Sequence, residues 1–107
     1  MSTWDTQTTE DLFRTILNLN NVRDAKRFFR DLLTKDEIIE FGKRWQAARM
    51  LSERVPYTDI TARTGLSSTT VARISKWLNQ GMGGYQLMLQ KVHDHHYVHS
   101  LAGRKVC

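Results

Sequence analysis

Residues 67–78 carry five hydroxyl side chains, two cations and no carboxylate. Wound as a helix, the segment sets Ser68, Thr69, Ala72, Arg73 and Lys76 on one face, because residues three and four apart are neighbours there. Val71, Ile74 and Leu78 fall on the other. Short neutral side chains let the leading end of such a helix approach base edges in a major groove, and cations further along meet the passing phosphates. The expected chemistry is recognition of a double-stranded polyanion by hydrogen bonds and charge. Catalysis is not expected: the hydroxyls lack a paired histidine and carboxylate, and the carboxylates Asp36 and Glu37 belong to a helix cap. A second group is the run His93-Asp94-His95-His96-Tyr97-Val98-His99. His95 and His99 stand at i, i+4, a spacing that chelates zinc or nickel. No cysteine or second carboxylate completes four ligands, so these histidines read as a solvated helix end complementing the helix dipole, and no metal or other cofactor is expected.

The recognition face needs a scaffold, and the preceding residues provide one. Pro56 at a first helical position costs no hydrogen bond, and a short helix runs from it to Thr64 with Ile60 turned inward. Gly65 takes the left-handed conformation that ends the helix, so the chain reverses within about three residues. Leu66 fills the angle between the helices and Ser67 caps the second. Residues 56–80 therefore read as a helix-turn-helix, with a recognition helix over about 67–78. Two positions depart from the usual pattern: Thr61, where a small residue commonly lets the helices approach, and Thr64, which is often apolar.

Upstream, Thr34-Lys35-Asp36-Glu37 has the form of a capping box, opening a long helix whose apolar stripe is Ile38, Phe41, Trp45, Ala48, Leu51 and Val55. A first helix is predicted to start at Thr8 or Thr9 and to carry Leu12, Phe13, Ile16, Leu17 and Leu19. Val22, Ala25, Phe28, Phe29, Leu32 and Leu33 mark a second, with Arg23, Lys26, Arg27 and Arg30 opposite. Beyond the glycines at 81, 83 and 84, Tyr85, Leu87, Met88, Leu89 and Val92 suit a partner-facing core. Apolar residues repeat at three and four and never at two, so the fold class is all-α with about six helices.

The chain has 107 residues, 40% hydrophobic and 25% charged, which fits one domain over 1–107 with 100–107 as a flexible tail. No apolar run approaches the roughly 20 residues of a membrane span, and the polar start is unlike a secretory leader. A cytoplasmic location without membrane partners is expected. The single cysteine, Cys107, forms no intrachain disulfide, so cohesion must come from apolar burial. The net charge of +5 suits a polyanionic partner and begins after the first helix. A chain of this size buries only about 60 to 65% of its unfolded surface. Several helices are nevertheless apolar on more than one face, so a homodimer is expected. A monomer with those helices at its centre is the alternative.

The capping-box helix TKDEIIEFGKRW, the motif YTDITARTG-LSSTTVARI and the helix after the glycines together resemble the Trp repressor family, from about Thr9 to Tyr97. The ending ISKWLNQG is similar to the family's YerC/YecD-type proteins. The resemblance implies an intertwined all-helical homodimer that binds double-stranded DNA sequence-specifically and regulates transcription as a repressor. By position it implies Ser68, Thr69 and Ala72 at base edges, Thr58 and Thr61 close by, and Thr70, Lys76 and Arg44 at phosphates. Arg44 and Arg73 match the two arginines that hold the tryptophan corepressor, and Thr34 matches a pocket threonine. Ile74 and Trp77, however, stand where the family has glycine and serine. Overpacking of that kind typically costs about 1 to 3 kcal/mol. L-tryptophan is therefore not expected as corepressor, with Trp77 or Trp45 filling the site. Two alternatives stay open: an adaptor docking the same helix pair on a protein, and a regulator in which Arg44 and Arg73 grip a different small acidic ligand.

Overall fold

The computed structural model describes residues 3–93. They form α1 (Gln7–Ile16), α2 (Val22–Leu32), α3 (Lys35–Ser52), α4 (Tyr57–Thr64), α5 (Ser68–Gln80) and a sixth helix, α6, over 84–93, with no strand among the described residues. His95, His99, the 100–107 tail and Cys107 lie outside them. The chain divides into two compact units between Ile39 and Glu40, within α3.

The first unit begins with a reciprocal cap. The Thr9 amide donates to Thr6 Oγ1 at 3.2 Å and the Thr6 amide to Thr9 Oγ1 at 2.9 Å, so α1 starts earlier than Thr8 or Thr9. The helix is also shorter than its apolar residues suggested. Leu17 is the C-cap, and Leu19 lies beyond it in a turn closed by the bonds Asn18 N–H to Thr15 O and Leu19 N–H to Ile16 O, both 3.0 Å. Asn21 caps α2 by accepting from the Asp24 amide at 2.8 Å. The α3 cap matches its sequence signature in both directions: Glu37 N–H to Thr34 Oγ1 at 3.1 Å, and Thr34 N–H to Glu37 Oε1 at 2.9 Å. The backbone bond from Thr34, then the side-chain one, holds the Glu37 carboxyl below its ordinary range. The cap's charge contribution is therefore complete above the ordinary value and is lost only as pH falls through the lowered one. Neither α1 nor α2 buries a residue, and Val22 remains 71% and Leu17 82% exposed.

The second unit holds the core. Ala47, Ala48 and Met50 of α3 meet Ile60 of α4, Leu66 of the turn, and Val71 and Ile74 of α5, with Trp45, Leu51, Val55 and Tyr85 packed around them. Of the expected α3 stripe, Phe41 is exposed, and Val55 packs against the core from beyond the end of the helix. Burial favours Ala47 and Met50 instead, because two adjacent alanines permit closer approach than a large ring. In the first turn of α6, Tyr85 stacks on Trp45 with ring centroids 6.4 Å apart, and Gln86 Nε2 donates to the Leu78 carbonyl at 2.7 Å.

Just past the end of α3 stands the one left-handed non-glycine residue among those described, Arg54 at φ 63°. The Glu53 and Val55 amides both donate to the Met50 carbonyl, which fixes that geometry. A Cβ in this region costs roughly 1 to 2 kcal/mol, partly offset by the larger unfolded-state entropy of glycine. Arg54→Gly is thus expected to raise the unfolding free energy by about 0.5 kcal/mol in a denaturant titration, and Arg54→Val to lower it.

Candidate nucleic-acid interface

The interface is built on α4 and α5, which pack against each other. Pro56 is the N-cap of α4, at φ −60° and ψ 147°, rather than its first helical residue, a shift of one position from expectation. Ile60 faces inward with no exposure. Gly65 adopts φ 76°, donates its amide to the Thr61 carbonyl at 2.9 Å, and ends α4 as its residue type dictates. A side chain there would be strained by the backbone and would meet Lys43 Nζ at 3.8 Å.

Thr64 solves a problem that its position creates. It is buried, yet its hydroxyl donates to the Ile60 carbonyl at 2.7 Å and accepts from the Leu66 amide at 3.2 Å. The polar side chain thus satisfies a turn amide where an apolar residue would leave it bare, and Leu66 is free to pack into the core. At the start of α5, Ser67 Oγ accepts from the Thr70 amide at 3.1 Å and lies 3.0 Å from Thr70 Oγ1. These two hydroxyls serve the cap.

The remaining α5 residues divide as their spacing dictates. Val71 and Ile74 are fully buried and Leu78 is half-buried, while Ser68, Thr69, Ala72, Arg73 and Lys76 are exposed. The polar side chains of that outward face make no hydrogen bond or ion pair with other described residues. Two hydroxyls and two cations are therefore available to an outside partner. Thr58 is also exposed, whereas Thr61 is half-buried and donates to the Thr58 carbonyl at 3.0 Å. Arg44 is half-buried, with its Nε 3.2 Å from Glu40 Oε2. Its cation opposes the effect of burial, which pushes the Tyr85 phenol above its ordinary pKa.

The residues matched to the corepressor site each have a local setting of their own. Thr34 is occupied by the α3 cap, Arg73 is on the outward face of α5, and Ile74 lies in the core, where it joins α5 to α4. Ile74 is thus a packing residue, fully buried where the family has a glycine. Trp77, 43% exposed, lines a cavity of about 560 Å³ with Trp45, Gly81, Met82, Gly84, Tyr85 and Met88. No charged side chain lines it. Among the described residues no helix is long and apolar enough to cross a membrane, and no His/Cys/Asp/Glu group is arranged to hold a metal.

Comparison with known proteins agrees with this architecture. Residues 7–93 match the family model of the Trp repressor protein. The protein YerC of Bacillus subtilis, itself uncharacterized, is 38% identical over 85 residues, which cover 79% of this chain and 82% of that one. A TrpR-like protein from Eubacterium eligens superposes with a TM-score of 0.80 at 37% identity, covering 83% of this chain and 92% of the other. A Staphylococcus aureus chain solved as a candidate Trp repressor gives 0.78 at 31% identity, with coverages of 82% and 88%. Matched over residues 7–93 by the family model and over most of its length by these relatives, the chain belongs to the Trp repressor family.

Proposed function

We propose that this protein is a homodimeric, sequence-specific DNA-binding repressor of transcription. It sets one α5 from each copy into successive major grooves, about 34 Å apart, of a palindromic site. The observation that carries the reading is the unpaired, acid-free outward face of α5 on a helix held rigidly by a buried core. Base edges would meet Ser68, Thr69 and Ala72, with Thr58 and Thr61 nearby, while phosphates would meet Arg73, Lys76 and Arg44. Ser67 and Thr70 act by fixing the start of the helix. The dimer is supported by the first unit, whose two helices bury none of their apolar side chains. Such surface calls for a covering partner, and a second copy provides one. As a DNA-bound regulator the protein works in the cytoplasm.

The test is selection of bound duplexes from a random pool, followed by affinity measurements across a salt series. Palindromic sites and a steep fall of affinity with salt are expected, as counterions released from the phosphates return. Failure to retain any duplex at low salt would overturn the proposal.

Regulation by L-tryptophan is not part of this reading. The cavity beside Trp77 presents no charge to an amino acid's ammonium and carboxylate. Calorimetric titration with L-tryptophan is expected to give no saturable heat at millimolar ligand. Micromolar binding would restore the corepressor.

A further inference from the structure

The bases accepted by α5 follow from what its leading side chains have to offer. Adenine is read by an Asn or Gln amide on N6 and N7, cytosine by a carboxylate accepting from N4, and guanine by the donors of Arg or Lys on O6 and N7. Residues 68–72 contain none of these side chains. Thymine presents a different edge, a C5-methyl group beside the O4 acceptor. Thr69 carries the complement of both, because its hydroxyl is exposed without a partner and its methyl shares the same Cβ. Ala72, exposed one turn further on, offers a methyl alone. Ser67 and Thr70 do not compete, since their hydroxyls serve the cap.

We infer that α5 selects its DNA through thymine methyl groups. Thr69 donates to O4 and covers the C5-methyl of one thymine, and Ala72 covers the methyl of a second. The inference rests on the DNA-binding reading above and deepens it. The two residues are about 4.5 Å apart along the helix axis. One base step is about 3.4 Å, so the two thymines are neighbours or have one base between them. Each methyl removed from water contributes about fourfold in affinity, or ~0.8 kcal/mol. Four such contacts in a dimer would account for specificity on the order of 100-fold.

The experiment takes the best duplex selected by the full chain and replaces each thymine in turn with deoxyuridine, which keeps O4 and base pairing but loses the methyl. Two positions per half-site are expected to lose about fourfold in affinity. With Thr69→Ser, which keeps the hydroxyl and removes the methyl, the deoxyuridine effect should vanish at one of them and persist at the other. Selected sites without thymine at these positions, or deoxyuridine without effect throughout, would overturn the inference while leaving DNA binding intact. A protein that retains no duplex overturns both.

Discussion

Replacing Arg73 and Lys76 together with alanine is expected to weaken DNA binding most at low salt, with the deficit against the unaltered protein shrinking by about 100-fold between 0.05 M and 0.2 M salt, because four phosphate contacts per dimer no longer release counterions. Each neutralised phosphate adds about 0.9 to the slope of log affinity against log salt, so four contacts change that slope by about 3.6. The comparison is clean because both side chains are exposed and neither is paired within the described chain, so the substitution leaves no orphaned charge. Fluorescence anisotropy across a salt series should show a flatter line for the variant and little change in which sequence is preferred. Arg44→Ala gives a useful contrast. It frees Glu40 as it removes the cation, so its effect mixes a lost phosphate contact with a new local negative charge. An unaltered slope in the double variant would count against phosphates meeting this end of α5.

The second large effect is on stability. Ile74→Ala is expected to cost about 3 kcal/mol, within the 2 to 5 typical of deleting a buried isoleucine side chain. Ile74 is fully buried in a core of seven residues, three of them contributed by α3, so little surrounding structure is free to collapse into the gap. Against a total stability of about 5 to 15 kcal/mol, that loss lowers the denaturation midpoint substantially. Trp77→Ala removes a larger side chain that is almost half in water, and should cost less. If Ile74→Ala lowered the unfolding free energy by less than about 1 kcal/mol, α5 would not be anchored as described, and its outward face would lose the rigidity that recognition needs.

The parts of this molecule that could be read from its residues are those governed by local rules. Gly65 had to adopt positive φ, Ser67 and Thr34 had hydroxyls in place to meet exposed amides, and the three- and four-residue spacing of Val71 and Ile74 separated the buried face of α5 from the outward one. Other features depended on competition between similar residues. Thr8 and Thr9 were the expected starts of α1, and the reciprocal bond between Thr6 and Thr9 moved the cap to Thr6. In α3 the hydrophobic pattern marked both Phe41 and Ala48, but the core took Ala48 together with its small neighbour Ala47, which carries little signal in such a pattern. Thr64 stood out as a departure because its fitness depends on two backbone partners, Ile60 and Leu66, that composition does not reveal. The pairing of Trp45 with Tyr85 joins residues far apart in sequence, a contact that no local rule announces.

The two leading helices bury no residue of their own, so in the proposed dimer their cover depends on the abundance of the protein. Under the dimeric reading, dilution as a cell grows exposes Phe13, Leu17, Val22 and Leu32 to water, and the paired arrangement needed to span two grooves dissolves with it. Such a regulator measures its own supply: a falling copy number lowers occupancy more steeply than in proportion, with no effector required.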